Sequence, residues 1–413
     1  MRRIRGQRWG TRCDVLTTKA KNEDDVAMPT HDVPKDADRL LVIISDIEMG
    51  TGGVSDDFPQ SSFLGRLICS YNLPPHDALP VHMVFNGDTF DLLKTPYRNT
   101  YPRHITQDVA LGKMSSVATA HPGFFEGVRR FLEHSGSERQ VSVVVGNHDA
   151  ELIFPSVQQM IRRLCGGHDG MDFSGFSLQV GKVFIEHGHQ YDAAYATDID
   201  KPFLIHNGER LLNISWGSSA VLDTVMYLQR LFPFHDRLTP RALMFHLLPD
   251  LEALIVDIMW KYWSRDYWKS YFFSDDPTKT LTWSMIKDLI CRIWHRDTDV
   301  RMGYLARDRV RTCDDIMLRV LGHQHRRELW TYKNRKLMVS GAFRNEYMIL
   351  NDGCALRPIP KTYIECYLKD DVPIRSRFVE LEGPPAPAGY VPDSIFDIVP
   401  CVREMLGKQT RCT

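Results

Sequence analysis

The amino-acid sequence predicts an α/β fold, and three of its features support that prediction. Short, wholly apolar runs rich in branched side chains, at residues 40–44 and 143–145, are typical of buried strands. Segments with apolar residues at helical spacing, such as residues 155–164, lie between such runs. Polar side chains follow directly after the predicted strands, which is where open α/β sheets place their chemistry.

Strands and helices alternate through the first half of the predicted fold. We expect strands at 40–44, 81–85 and 143–145, and helices around 63–71, over 105–134 with a break at 121–123, and over 155–164. Two short strands, 176–180 and 183–185, are joined by Gly181 and Lys182 as a hairpin. After a helix over 303–316, we expect strands at 317–321, 328–333, 336–340, 345–350, 361–368 and 374–381.

Composition restricts the function classes. With 413 residues and 43% apolar content, the chain is long enough for one large domain with an insertion or for two smaller ones. The net charge of -1 argues against a nucleic-acid partner. The nine cysteines are dispersed and form no Cys-x-x-Cys pair, which indicates reduced thiols and a cytoplasmic location. No run approaches the roughly 18 consecutive apolar residues of a membrane span.

The chain divides into five predicted segments. Residues 1–37 are polar and are interpreted as a flexible, disordered lead-in, with an organelle transit peptide as the less favoured alternative. Residues 38–197 and 303–382 form two parts of a core, and residues 198–302 form an inserted cap of amphipathic helices that contains six of the eight tryptophans. A Pro-rich linker and C-terminal tail occupy residues 383–413.

Five strand ends carry residues that can bind metal or move a proton: Asp46 with Glu48, Asp88 with Asp91, Asn147 with His148 and Asp149, His187 with His189, and His323 with His325. Because the strands leave these residues at the same edge of a sheet, we expect them to converge. Oxygen and imidazole donors without thiolate suit Mn²⁺, Fe or Zn²⁺ bound for catalysis. One ion cannot use so many ligands, so an aspartate such as Asp88 is expected to bridge two.

These motifs resemble the five ordered motifs of the calcineurin-like metallophosphoesterases. The matching residues are Asp46-x-Glu48, Gly87-Asp88, Gly146-Asn147-His148-Asp149, His187, and Gly322-His323-Gln324-His325. The resemblance covers roughly residues 38–195 and 303–381. It implies a four-layer α/β/β/α sandwich of two mixed sheets with an inserted helical cap, and the activity of a metal-dependent phosphoric ester hydrolase.

The resemblance also implies a role for each motif residue. Asp46, Glu48, Asp88 and His325 would hold one divalent ion, and Asp88, Asn147, His187 and His323 would hold a second, with Mn²⁺ the favoured metal. A hydroxide bridging the two ions would attack phosphorus in line. His148 would donate a proton or a charged hydrogen bond to the leaving oxygen, with Asp149 holding it in the protonated form.

Glu48 departs from the family pattern, which has histidine at this position. Glutamate adds an oxygen donor and a negative charge, so we expect a preference for harder ions such as Mn²⁺ and a less acidic bridging water. The alternative is a decayed site on a scaffold protein that no longer turns over substrate.

Four further residues have open roles. His189 is interpreted as a substrate contact or a surface residue. Asp91 is interpreted as a residue that orders the loop after Asp88 or contacts substrate. Asp56 and Asp57 belong to a solvated loop or to a group that orients loops near the metals.

The predicted cap contains an aromatic stretch, at residues 262–273, with basic residues interleaved. Three interpretations remain open: a helical core, an apolar groove for a lipidic or nucleotide-sugar substrate that touches a membrane surface peripherally, and a stacking platform for single-stranded nucleic acid. Gly87-Asp88-Thr89-Phe90-Asp91 is similar to the second motif of the UDP-2,3-diacylglucosamine hydrolases, although His148 stands where those enzymes have arginine. The predicted substrate is a phosphomonoester, a phosphodiester, or a nucleotide-sugar or lipid-linked pyrophosphate, with a nuclease as the alternative; the oligomeric state is left open.

Overall fold

A computed structural model describes residues 32–229, 232–273, 276–278, 287, 302–353, 355–387, 389–392 and 394–398. Three parts of the predictions lie outside these residues: most of the predicted lead-in, two of the predicted cap tryptophans (Trp283 and Trp294), and the end of the predicted tail. The described residues form a mixed α/β fold with two large mixed sheets and two smaller sheets.

The elements are named in chain order. The first part of the chain forms β1 (Arg39–Ile44), α1 (Ser61–Ser70), β2 (Val81–Asn86), α2 (Gln107–Ala120), α3 (Pro122–Leu132), β3 (Arg139–Val144), α4 (Pro155–Leu164), β4 (Met171–Phe173), β5 (Ser177–Val180) and β6 (Val183–Glu186). The middle part forms β7 (Phe203–His206), β8 (Glu209–Leu212), α5 (Trp216–Gln229), β9 (Leu238–Thr239), α6 (Arg241–Leu247), α7 (Pro249–Lys261), a π-helical turn (Tyr262–Asp266) and α8 (Tyr267–Phe273). The last part forms α9 (Met302–Thr312), β10 (Leu318–Leu321), β11 (Arg327–Tyr332), β12 (Arg335–Ser340), β13 (Tyr347–Leu350), β14 (Ala355–Pro358), β15 (Lys361–Lys369) and β16 (Val372–Leu381).

The strands that precede the polar motifs are parallel neighbours. In the six-stranded sheet the order is β16-β15-β1-β2-β3-β4, and β1 to β4 run parallel while β15 and β16 add antiparallel strands at one side. In the five-stranded sheet the order is β11-β12-β10-β6-β5, with β12, β10 and β6 parallel. Each set of parallel strands therefore ends at one edge of its sheet.

Strand β1 is apolar along its length because both of its faces are covered. Leu41 and Ile43 belong to a buried cluster with Ile185 of β6 and Val320 of β10, so the two large sheets share a core. Leu40 and Val42, on the opposite face, belong to a second cluster with side chains of α1, α3 and α4. On the five-stranded sheet, Ala306 and Val310 of α9 cluster with Leu321, Leu337 and Val339. Burial on two faces is what a continuous apolar strand predicts.

Most predicted elements of the two core segments are confirmed to within a few residues. The predicted break at 121–123 is confirmed at His121, which separates α2 from α3. The short strands β4 and β14 were not predicted, since neither carries a long apolar run. The expectation of long helices over about 198–300 is met in part: helices cover 216–229 and 241–273 of the described residues, with short breaks, but a β-hairpin, β7–β8, comes first and a segment without regular structure leads to β9.

Two absences concern the described part of the chain. Its helices include none that is long and apolar enough to cross a bilayer. Cys69, Cys165, Cys313 and Cys366 are free thiols, as the dispersed cysteine pattern predicted for these four residues.

The buried imidazole of His82 generates a stability prediction. His82 lies on β2, is 7% exposed and has its Nε2 2.8 Å from Ser142 Oγ on β3. Burial, helped by the positive charge of Arg39, lowers the pKa of His82 from 6.5 to about 4. Because the unfolded chain binds this proton at higher pH than the folded chain, acidification below pH 6.5 favours unfolding.

We expect the wild type to lose about 2 kcal/mol of its free energy of unfolding through His82 between pH 7 and pH 5. The His82→Gln variant keeps a polar partner for Ser142 but does not titrate, so its loss between these pH values should be smaller by that amount. Urea denaturation of both proteins at both pH values measures the difference. Equal losses in the two proteins would contradict a depressed His82 pKa.

Candidate metal centre

The loops after the parallel strands are joined to one another by backbone hydrogen bonds. The amide of Asp46 donates to the carbonyl of Gly87 at 3.2 Å, and the amide of Glu48 donates to that of Asp88 at 2.8 Å. The amide of Gly322 donates to the carbonyl of His187 at 2.8 Å, which links the two loops of the five-stranded sheet. The structure thus brings the predicted strand ends together at one place.

Backbone strain is concentrated in these loops. Five predicted ligands have positive φ angles, in the left-handed region that L-residues rarely adopt. They are Asp46 (55°), Glu48 (54°), Asp88 (50°), His323 (70°) and His325 (55°). Strained backbone persists only where the surroundings enforce it, and it gathers at functional sites. The strain therefore supports a functional role for this edge of the sheets.

Glycine at two motif positions permits the close approach of neighbouring loops. A β-carbon at Gly146 would overlap Oδ1 of Asp88, and one at Gly322 would overlap the hydroxyl of Ser45. Asp46 Oδ2 in turn accepts a hydrogen bond from Ser45 Oγ at 2.5 Å and one from the amide of His323 at 3.1 Å. The motif glycines are thus explained by packing around Asp46 and Asp88.

One part of the centre has the donor set of a metal site. Asp88, His187 and His323 have ligand atoms that all lie within 4.8 Å of one another. The Nδ1–H of His187 donates to the carbonyl of Asn86 at 3.0 Å, which leaves the lone pair of Nε2 facing Asp88 Oδ2 at 3.0 Å. This Nε2 and the Oδ1 of Asn147 are both buried and neither makes a hydrogen bond. A lone pair of His187 Nε2 that faces a carboxylate oxygen needs a proton or a cation between the two atoms.

His325 occupies the opposite part of the centre. Its Nδ1 lies 2.8 Å from Glu346 Oε1, and its Nε2 lies 3.3 Å from Asp46 Oδ1 and 3.4 Å from Glu48 Oε1. Burial and Arg344 lower the pKa of His325, but hydrogen bonds to Asp46 and Glu346 outweigh them and raise the pKa to about 10.

Glu48 is bound by two cationic side chains. Arg344 Nη1 donates to Glu48 Oε1 at 3.0 Å and to Oε2 at 2.9 Å, and Lys94 Nζ donates to Oε2 at 3.0 Å. All three side chains are at most 4% exposed. Burial opposes ionisation of Glu48, but Arg344 and Lys94 hold the pKa of its carboxyl well below the ordinary value.

Lys94 lies inside a cage of carboxylates that sequence reasoning missed. Its Nζ lies 2.6 Å from Asp57, 2.9 Å from Asp91 and 2.9 Å from Asp236, in addition to Glu48. Asp57 is fully buried, so the interpretation as a solvated loop was wrong. Burial raises the pKa of Asp57 to about 8 despite the nearby lysine.

A signal for Arg344 was present in the sequence. It follows β12, so it stands at a sixth strand end, with Asn345 and Glu346 directly after it. Asp236 gave no such signal, because it lies in the segment of the insertion before β9 and belongs to no motif.

The imidazole of His148 is contacted by Asp91 and not, as was expected, by Asp149. The Nδ1 of His148 lies 2.9 Å from Asp91 Oδ1, whereas the carboxylate of Asp149 accepts hydrogen bonds from the amides of Gly146 at 2.7 Å and Thr89 at 2.8 Å. Asp149 therefore holds the loop backbone rather than the imidazole. Burial lowers the pKa of His148, but the carboxylates of Glu48, Asp88 and Asp91 outweigh it and raise the pKa to about 10.

Asp91 and His189 are both buried. Asp91 is 2% exposed, and its oxygens contact His148 and Lys94. His189 is 1% exposed, and its ring centroid lies 5.4 Å from that of His187, so it is not a surface residue. Their contact with substrate stays a prediction.

A cavity of about 280 Å³ opens beside the centre. His325, Arg344 and Glu346 line its inner side, and Arg327, Thr362 and Glu380 contribute to the rest of its wall. This cavity, which Ala342, Ile359 and Pro360 also line, lies on the His325 side of the centre and is large enough for part of a small substrate.

The chain was compared with known proteins. No protein-family profile and no curated protein sequence matches it. Among solved structures it is similar to the sulfate thiohydrolase SoxB of Thermus thermophilus in complex with glycerol, with 10% identity, a TM-score of 0.28, and coverage of 92% of this chain and 62% of that chain. It is also similar to the phosphopantetheinyl hydrolase PptH of Mycobacterium tuberculosis, with 12% identity, a TM-score of 0.23, and coverage of 74% of this chain and 91% of that chain. The match to SoxB thus spans less than two thirds of that protein, and both likenesses are too low to bear on function.

The close approach of Gly146 to Asp88 generates a second prediction. In Gly146→Ala the added methyl group must displace the Asp88 carboxylate, so we expect affinity for Mn²⁺ to fall by at least about tenfold. Gly50→Ala is the matched control, because its β-carbon meets Asp56 at an ordinary 3.5 Å. Isothermal titration of both variants with Mn²⁺ measures the effect. Unchanged affinity in Gly146→Ala would show that Asp88 is not a ligand.

Proposed function

We propose that this protein is a metal-dependent hydrolase of phosphoric esters. The observation that carries the proposal is the group of Asp88, His187 and His323, whose ligand atoms all lie within 4.8 Å of one another. These oxygen and imidazole donors form a set that suits a catalytic divalent ion. The resemblance of the ordered motifs to calcineurin-like metallophosphoesterases supports the same reaction class.

The proposed architecture is the four-layer sandwich of that family. The shared core of the two large sheets, with α1, α3 and α4 packed on one and α9 on the other, supports this arrangement. Residues 38–197 and 303–382 are proposed as the two parts of the core and residues 198–302 as a cap. In support of a cap that reaches the centre, Asp236 contacts both Lys94 and Arg344.

The residues proposed to hold metal are those of the motif resemblance. Asp88, Asn147, His187 and His323 would hold one ion, and Asp46, Glu48 and His325 are the family positions for a second, with Mn²⁺ the favoured metal. A bound divalent ion supplies positive charge that stabilises a phosphoryl group in the transition state and makes water more acidic.

His148 is the proposed proton donor. Its Nδ1–H is held by Asp91, which orients the ring and leaves the Nε2–H free to donate to a leaving oxygen. Because the surrounding carboxylates raise the pKa of His148 to about 10, the imidazole carries its proton at neutral pH. The side chain is 19% exposed, so substrate can reach it.

The substrate is proposed as a phosphomonoester, a phosphodiester, or a nucleotide-sugar or lipid-linked pyrophosphate. The cavity beside His325, lined by charged and by apolar side chains, supports a substrate that extends beyond the phosphate.

The test is hydrolysis of a model phosphomonoester and a model phosphodiester with Mn²⁺ present. We expect kcat to fall by about 100-fold to 10,000-fold in His148→Ala, since general acid catalysis contributes this much. Asp88→Asn should lose activity together with metal affinity, because the amide removes a charged ligand. His246→Ala is the control, since His246 is exposed on α6 and joins none of these contacts.

Turnover that is indifferent to both His148→Ala and Asp88→Asn would reject the proposed mechanism. A wild-type protein that binds Mn²⁺ but hydrolyses neither substrate would favour the decayed scaffold.

A further inference from the structure

Glu48, which differs from the family pattern, is paired with two cationic side chains, Lys94 and Arg344. Where the related family has a neutral histidine, this chain has a carboxylate whose two oxygens both accept hydrogen bonds from Arg344 and one of which also accepts from Lys94. Buried charges are stable only when they are paired and hydrogen-bonded. The glutamate and the two cations therefore form a unit.

Lys94 lies among the carboxylates of the two candidate ligand sets that contain Glu48. Within the described part of the chain, three sets of side chains have ligand atoms that all lie within 4.8 Å of one another: Asp88 with His187 and His323, Glu48 with Asp91 and His148, and Glu48 with Asp57 and Asp236. Both sets that contain Glu48 surround Lys94 Nζ, which contacts their carboxylates at 2.6–3.0 Å. Neither Asp46 nor His325 belongs to any of the three sets.

Arg344 adds a second positive charge at the same place. Its Nη1 lies 3.0 Å from Asp57 and 3.4 Å from Asp236, in addition to Glu48. A divalent ion on this side would stand next to a buried ammonium and a buried guanidinium, and like charges at such distances repel strongly in a desolvated site.

Among the described residues, no lysine or arginine contacts the Asp88 side of the centre. The contacts of the Asp88 carboxylate are the amide of His148 at 2.8 Å and His187 Nε2 at 3.0 Å, with no lysine or arginine among them. Asn147 Oδ1, one residue before the His148 amide that binds Asp88, is buried and makes no hydrogen bond. The two sides of the centre thus differ in the source of positive charge.

We propose that the centre holds one divalent ion, bound by Asp88, Asn147, His187 and His323, and that Lys94 and Arg344 take the place of a second ion beside Glu48. This inference rests on the proposed metal-dependent function and reduces the number of bound ions from two to one. His325 then pairs with Glu346, Asp46 and Glu48 as a hydrogen-bonding residue and is not a ligand. Lys94 and Arg344 are positioning residues that hold Glu48.

The first experiment counts ions on the wild-type protein. After chelation and reloading with Mn²⁺, elemental analysis of the dialysed protein should give one manganese per chain. The electron paramagnetic resonance spectrum should show the signal of an isolated Mn²⁺ ion. Two manganese ions per chain with an exchange-coupled spectrum would overturn the one-ion centre.

The second experiment uses two histidines of the same motif as a matched pair. We expect His323→Ala to weaken Mn²⁺ binding by at least about tenfold, because it removes a ligand, and His325→Ala to leave the affinity within about threefold. Circular dichroism checks that both variants are folded. A tenfold loss in His325→Ala would place an ion on the Glu48 side and contradict the inference.

The outcomes separate this inference from the proposed function. Two bound ions with phosphoesterase activity would overturn the one-ion centre alone. One bound ion without hydrolysis of either model ester would overturn the proposed reaction alone. A wild-type protein that binds no Mn²⁺ would overturn both.

Discussion

Charge compensation of buried carboxylates is the constraint on which the centre depends. Asp46, Glu48, Asp57, Asp88 and Asp91 are each at most 2% exposed, and they lie within two connected loops, after β1 and after β2. A buried carboxylate is stable as an anion only with a cation or several donors beside it. On the Glu48 side the chain provides Lys94 and Arg344 as partners. On the Asp88 side it provides imidazole and amide groups, an arrangement that the proposed metal ion would complete.

The same constraint ties the segment before β9 to the loop after β1. Arg237, 1% exposed, has its Nε 3.3 Å from Asp57 and its guanidinium over the rings of Phe234 and Tyr390. Its Nη2 donates to the carbonyl of Val54 at 2.6 Å. Tyr390 in turn donates to the carbonyl of Asp56. The segment before β9 and a segment that follows β16 are therefore held against the loop after β1, and both help to fix the charged cluster.

The core strands and their polar ends could be predicted from the sequence for physical reasons. Strands buried on two faces are continuous apolar runs, and the loops after β1, β2 and β10 carry Asp46, Asp88 and His323 at positions that convergence requires. Those residues come together in the structure; their binding of metal stays a prediction.

The charge partners could not be predicted in the same way. Lys94 and Asp236 come from loops without periodicity. Their side chains contact each other although 142 residues of chain separate them, and sequence spacing gives no sign of this contact. His148 pairs with Asp91 instead of the expected Asp149 for a similar reason. Proximity in sequence favoured Asp149, but the turn after β3 directs its carboxylate to the amides of Gly146 and Thr89. Side-chain direction in a strained loop is set by tertiary contacts rather than by sequence spacing.

The most direct test of this account is an anomalous difference map, recorded at the manganese absorption edge from crystals grown with Mn²⁺. The account predicts a single peak in contact with Asp88, Asn147, His187 and His323, with the Lys94 ammonium still among Glu48, Asp57, Asp91 and Asp236. A second peak about 3.5 to 4 Å from the first, between Asp46, Glu48 and His325, would contradict it.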